Sequence, residues 1–377
     1  MALAVSFLTL IITVATTTAT PAVARDGYDL TEITVASPIS QPCNVETAPD
    51  GSLWYVEMAT RRLGRIDLVT GHIQKFDLPP ATIIPVLNLP VPLPGVFPIG
   101  PCDMAVGSDG NLWFNDPERN TIGYISMTAP YGIHEITLPT LASVPMSLAT
   151  GADGNIYVTQ TASNQIAKID IQTHVVTEYN VPTPLSGIIG GTAGQDGAHW
   201  FVEIIGNKLL RFDYATQEIT EYNVPTPAAL PFVIRSYDGQ IWFSESGANA
   251  IAHFDPTTET FTEAVIPTPA SVPIGVTRGV DGYIYTDESV GNKFARIDPA
   301  TMTVVGEYPL LTPATWNDEI KTGSDGALYS PEFTAGKIAR LWLPSFGTDP
   351  GFPQNGGTVT GATNLFQDTL AILRLGG

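Results

Sequence analysis

The stretch Asp109-Gly110-Asn111-Leu112-Trp113-Phe114 decides the fold, because the chain repeats its pattern. Asp-Gly pairs begin at Asp50, Asp109, Asp153, Asp196, Asp238, Asp281 and Asp325, at spacings of 59, 44, 43, 42, 43 and 44 residues. Four residues after each Asp stands an aromatic: Trp54, Trp113, Tyr157, Trp200, Trp242, Tyr285 and Tyr329. A repeat of forty-odd residues signals a propeller or a solenoid. Each unit then passes an asparagine-containing turn, as at Asn120, Asn164, Asn207, Asn249 and Asn292, into runs such as Gln165–Asp170 and Val176–Pro182. We read four short strands per unit, a to d, with Asp-Gly, a dipeptide suited to positive φ, turning a into b.

The ends of the chain fit a closed ring. The seventh unit supplies strands a, b and c as far as Trp342-Leu343-Pro344, and the missing fourth strand stands at the other end, in Tyr28–Val35. The expectation is an all-β, seven-bladed β-propeller of four-stranded antiparallel blades over residues 25–344, closed by its N-terminal strand so that no long edge stays open. The long first interval holds the proline-rich Pro79–Pro98, read as a loop on the mouth side and a candidate lid. Residues 345–377 fall outside the repeat as a C-terminal extension.

Before the first charge at Arg25 lie the apolar Leu3–Ala15 and a threonine-rich stretch ending Ala22-Val23-Ala24. Residues 1–24 read as a signal peptide cut after Ala24, which makes the protein secreted. A membrane anchor is the rival, although the apolar run is shorter than the roughly 20 residues a spanning helix needs. The formal charge of −20 argues against nucleic acid and anionic membranes as partners. A monomer that takes a small-molecule or peptide ligand is the expectation. The 35 glycines and 32 prolines fit many strands and tight turns and leave little room for helix.

Two columns of the repeat are candidates for chemistry. Seven residues after each Asp, at the end of strand b, stand Glu57, Asp116, Gln160, Glu203, Glu245, Glu288 and Glu332. These are expected to ring one mouth of the channel as cation ligands or general bases; the competing reading is a structural job repeated in every blade. The second column, at the start of strand a, holds Cys43, Cys102, Met146, Ile189, Phe232, Ile274 and Asp318, followed by Asn44, Asp103 and Glu319 in three units. Cys43 and Cys102 share a position in consecutive units, and we expect a disulfide there in preference to a free nucleophilic thiol. The sector of units seven, one and two is the most polar. It supplies Glu57, Glu332, Asp103 and Glu319 as candidate catalytic carboxylates and Asn44 and Asp318 as candidate substrate contacts, with Phe232 and Ile274 as apolar contacts. The five histidines are too scattered for a metal triad, and surface or packing roles are expected of them.

At Phe201-Val202-Glu203-Ile204-Ile205-Gly206-Asn207-Lys208 the sequence resembles the streptogramin B (virginiamycin B) lyases, and the likeness runs through all seven units, including Ile241-Trp242-Phe243-Ser244-Glu245. The resemblance implies a seven-bladed propeller that opens a cyclic depsipeptide by elimination, with a magnesium ion at the channel mouth. It also implies a histidine base in a Glu-Pro-His-Gly motif and a second histidine in Pro-His. This chain has Val272, Pro273 and Ile274 where the first motif would stand, Phe232 at the second histidine, and no Pro-His anywhere. Of the family's pattern, the strand-b acid survives approximately at Glu288, the one candidate metal ligand. Two readings follow: an enzyme of altered chemistry (lyase, lactone-opening or isomerising) with a carboxylate base, acting on a small secondary metabolite or cyclic peptide, or a non-catalytic binding propeller.

Overall fold

The computed structural model of the chain describes residues 23–25, 27–81, 100–353 and 359–360. Seven antiparallel sheets follow one another around a ring. Blade 3 is typical: strand a Pro145–Thr150, b Ile156–Gln160, c Gln165–Ile169 and d Val176–Asn180 pair in that order. Blade 7 takes its fourth strand from Tyr28–Thr34, which pairs antiparallel with Lys337–Trp342 from Asp29↔Trp342 to Thr34↔Lys337. The described helical segments are two 3-10 turns, Pro38–Ser40 and Pro344–Phe346.

In blades 2, 3, 6 and 7 the repeated Asp does two local jobs. Its carboxylate accepts the backbone N–H two residues on and the polar tip of the aromatic four residues on. Asp109 takes Asn111 N at 3.1 Å and Trp113 Nε1 at 3.1 Å, and Asp325 takes Ala327 N at 3.1 Å and the Tyr329 hydroxyl at 2.9 Å. The aromatic rings then fill the space between blades, fully or almost fully buried. In six blades only the Gly of Asp-Gly has positive φ; blade 5, where Asp238 and Gly239 stand at 52° and 78°, is the one two-residue turn with both residues there.

Neighbouring blades are tied by side chains to backbone. Asn164, at φ 56°, donates from Nδ2 to the carbonyls of Val181 and Thr183 and accepts Ser186 N and Oγ at 2.9 and 2.8 Å. Asn120, Asn207, Asn249 and Asn292 repeat the arrangement. Such ties satisfy the backbone of loops that could not pair otherwise.

Residues 1–22, where most of the expected signal peptide lies, are outside the described residues, as are residues 82–99 of the proline-rich loop. A short strand, Val23–Arg25, spans the expected cleavage position and pairs with Tyr28–Leu30. The described start of the extension binds back onto the ring: Arg340 holds Asp349 at 2.6 Å, Phe346 packs on Trp342 and Tyr285, and Val359–Thr360 pairs in parallel with Ile73–Gln74 of blade 1.

Candidate functional site

The central cavity, about 650 Å³, is lined by residues in or next to the innermost strands of blades 1 to 5 and 7, joined by Met58, Phe333 and Thr334 from the turns after strand b of blades 1 and 7. In blades 1, 3, 4, 5 and 6 strand a is kinked near its start. The register with strand b shifts between Pro42 and Val45, Pro145 and Ser147, Ile189 and Thr192, Pro231 and Ile234, and Pro273 and Val276. A bulge of this kind re-aims one or two side chains out of strict alternation. In several blades the next-to-last residue of strand b holds the backbone at the start of strand a. Asn115 Oδ1 accepts Cys102 N and Asp103 N at 2.9 and 2.8 Å, Thr159 Oγ1 accepts Ser147 N, and Asp287 Oδ1 accepts Gly275 N at 2.7 Å.

The polar sector lies where blades 7, 1 and 2 meet. Cys43 and Cys102 form the expected disulfide, with Cα atoms 5.3 Å apart. Asp318 of blade 7 brings Oδ2 to 3.0 Å from Cys43 Sγ and 3.6 Å from Cys102 Sγ, while its Oδ1 is buried without a hydrogen-bond partner. Asp103 accepts Asn44 Nδ2 at 2.8 Å and the backbone N–H of Met104 and Leu148 at 2.9 and 3.0 Å. Glu319 is ion-paired across the channel with Arg235 of blade 5, and Glu46 with Lys321 at 3.0 Å. Met58, Met104, Met146, Phe232, Trp316 and Phe333 supply the apolar wall.

Burial dominates the electrostatics. It pushes the Asp318 carboxyl up to about 8, helped by the like charges of Asp287, Glu319 and Asp103. Burial also lifts Asp103, to about 6, against the Leu148 N–H and the Arg235 charge that favour its anion. Asp287, behind the wall on the Gly275 amide, is raised to about 7 by burial and by Glu319.

Asn44, Asp103, Asp318, Glu319 and Phe232 all line the cavity, with both cysteines. Ile274 does not: it is 2% exposed, in a cluster with Trp242 and Val276 against which Phe232 and Trp316 pack. The expected ring of strand-b acids at the channel mouth is not there either. Glu57, Glu288 and Glu332 are fully buried away from the cavity, because strand-b side chains point to the two faces of their sheet, and those faces meet the neighbouring blades. Glu57 is held by Lys75 Nζ at 2.6 Å, and Asp116 by Arg61 at 2.5 Å. Glu203, Glu245, Glu288 and Glu332 each face a strand-d carboxylate, Glu221, Glu263, Glu307 and Glu32 respectively, and burial first, then that like charge, raises them to about 8, 8, 7 and 9.

The histidines also stand clear of the cavity lining. His199 is stacked on Tyr157 and pushed down to about 3 by burial; His134 and His174 lie against Tyr124, and His253 against Trp242. Sequence reasoning missed Arg235, Lys321 and Glu46, whose signal was a charge midway along an innermost strand, and Asp287, Met58, Trp316 and Phe333, which had none.

A magnesium site does not fit this donor set. Among the described residues, the group of potential ligand atoms lying within 4.8 Å of one another is Cys43, Cys102 and Asp318, and a hard cation that wants several oxygens finds there one carboxylate and two disulfide sulfurs. Glu288, the position left from the lyase pattern, faces Glu307 inside its blade.

The family model of the virginiamycin B lyases matches residues 86–291 and 233–345. A streptogramin B lyase structure superposes with a TM-score of 0.73 at 30% identity, covering 84% of this chain and 98% of that one. Virginiamycin B lyase from Staphylococcus aureus does so with the same TM-score at 27% identity, covering 84% and 99%, and so does its catalytically inactive histidine-to-alanine variant with quinupristin. Hydrazine synthase from Kuenenia stuttgartiensis, at 13% identity and a TM-score of 0.63, shares the fold alone. Among curated proteins, none matches the chain. Blade for blade and through most of its length, this chain belongs to the virginiamycin B lyase family.

Proposed function

We propose that the chain is an enzyme of altered chemistry within its family, moving a proton with carboxyl groups on a small secondary metabolite or cyclic peptide held in the central cavity. The observation that carries this reading is the pairing of Asp103 and Asp318 in one apolar-walled cavity with acidities set apart, to about 6 and about 8. Near pH 7 Asp103 is mostly the carboxylate and acts as base, while Asp318 keeps its proton and acts as acid. Asn44 and the Leu148 amide orient Asp103, and Met146, Phe232 and Trp316 face the apolar part of the ligand. Glu319, neutralised by Arg235, sets the field on Asp318 and is a positioning residue. Glu57 and Glu332 are outside this scheme because each is spent within a blade. Secretion of a monomer is part of the proposal, supported by the apolar Leu3–Ala15 run and the disulfide.

Purified protein incubated with a panel of cyclic depsipeptides and lactones, read by chromatographic retention together with mass, tests the reading. Elimination or isomerisation leaves the mass unchanged, and hydrolysis adds one water. The expected rate is bell-shaped, with limbs at about pH 6 and 8, and Asp103→Asn and Asp318→Asn each lower it on the order of 100-fold. Streptogramin B itself is expected to survive, since Phe232 and Ile274 stand in place of the histidines. Ligand binding with no product at any pH would make the protein the binding propeller of the second reading.

A further inference from the structure

The disulfide is placed unlike a structural staple. It stands in the wall of the main cavity, where the same repeat position in three consecutive blades brings together Asp318, Cys43 and Cys102. Cys43 is 2% exposed, whereas Cys102 is partly exposed, and both line the cavity. A disulfide sulfur carries no proton. The group that can hydrogen-bond to Cys43 Sγ at 3.0 Å is therefore Asp318 in its acid form, and burial among Asp287, Glu319 and Asp103 keeps that form populated at neutral pH. The hydrogen bond is aimed at the atom that must leave as a thiolate if Cys102 is attacked.

We propose that Cys43–Cys102 is a redox-active disulfide opening on the cavity, with Asp318 as proton donor to the departing sulfur and a low-molecular-weight thiol as reductant. The thiolate of the small thiol attacks Cys102 Sγ. A mixed disulfide forms, the Cys43–Cys102 bond breaks, and its electron pair leaves on Cys43 Sγ, which takes the Asp318 proton. A second thiolate attacks the sulfur of the small thiol in the mixed disulfide. This releases the oxidised small disulfide and leaves Cys102 as a thiolate, which is protonated from solvent. In sum, two small thiols lose two electrons and the protein gains two thiols. Reduction uncouples the inner strands of blades 1 and 2 and frees Asp318 from the sulfurs, so the cavity that the carboxyl chemistry occupies changes with it. The exchange itself does not depend on that chemistry and goes beyond it.

The test is reduction of the native full-length protein by glutathione, quenched by alkylation at timed intervals and counted by mass, from pH 6 to pH 10. Two labelled cysteines are expected within minutes at millimolar thiol, with a transient glutathione adduct. In Cys43→Ser, oxidised glutathione should give a stable adduct on Cys102. Asp318→Asn should reduce about tenfold more slowly per thiolate at pH 7, with the gap closing above pH 9, where Asp318 has lost its proton. A purely structural carboxylate gives the opposite sign, because removing its negative charge eases the approach of a thiolate. Asp318→Glu, which keeps the acid, should recover most of the rate and shows whether folding survives the change. A folded protein whose disulfide resists glutathione until denaturant is added overturns the proposal, as does an Asp318→Asn rate equal to or above that of the parent.

Discussion

At the residue scale, the repeated Asp-Gly and aromatic pattern is a hydrogen-bonding device with a steric condition attached. For Asp109 to reach both the turn amide and the Trp113 indole, the residue two before it must have no side chain: a Cβ on Gly107 would lie 2.4 Å from Asp109 Oδ1 and 2.5 Å from Trp113 Nε1. Blade 1 shows the consequence of breaking the condition. It carries Ala48 at that position, and Trp54 Nε1 is buried with no acceptor. Gly107→Ala should therefore cost about 1–3 kcal/mol in denaturant unfolding, through overpacking and loss of the indole hydrogen bond. Ordinary stability would show that the ring relaxes around an added methyl. The site residues were legible for a related reason. Asn44, Asp103, Asp318 and Glu319 are polar where an innermost strand is otherwise apolar. Ile274 and Phe232 share a column and the same register shift and yet part company, because Ile274 packs in the cluster that joins Trp242 of the preceding blade to Val276, and no local pattern records that neighbour.

At the scale of the element, strands b and d of one blade form a proton-sharing pair. The strand-d carboxylate is anchored outward: Glu221 accepts Thr183 N and Oγ1 at 2.9 and 2.7 Å, and Lys208 Nζ lies 2.6 Å away. Glu203 therefore faces a fixed negative charge and keeps its own proton, rising from the ordinary 4.5 to about 8. Because the folded pKa stands above the unfolded one, the folded chain binds more protons across that window, and stability falls as pH rises from about 4.5 to 8. Blade 3 already carries the neutral solution, Gln160, whose Nε2 donates to Glu178 Oε1 at 2.8 Å. Glu203→Gln should leave the melting temperature near pH 5 unchanged and raise stability at pH 9 by roughly 1 kcal/mol or more, flattening the alkaline slope. An equal effect at both pH values would mean that no proton is shared there. The periodicity of these acids was plain in the sequence; their direction was not. Six carboxyl-bearing strand ends and Gln160 read as a ring until the faces of the sheets are seen to meet blade against blade.

For the whole molecule, the ring exists because its two ends find each other. Leu30 is fully buried among Phe294, Leu310, Leu328 and Leu341, contacts made between the first strand of the ring and the last two blades. Leu30→Ala should cost about 2–5 kcal/mol, and a chain beginning after Thr34 should leave the Lys337–Trp342 edge open and assemble into higher-order species on size exclusion. A monomeric, cooperative truncated chain would show that the ring closes without that strand. Blade number and closure could be read from spacing alone, since each unit needs the same four strands and one unit lacked its own. The pairing also fixes how the molecule bears load. Asp29 opposes Trp342 and Thr34 opposes Lys337, so the chain enters and leaves this seam at the same end. Tension applied through the two termini would first part the Val359–Thr360 pairing, then detach the Asp349 anchor, and then open the seam one rung at a time, as a zip rather than as a sheared lap joint. The propeller is thus a ring whose clasp opens rung by rung from the end where both termini leave it.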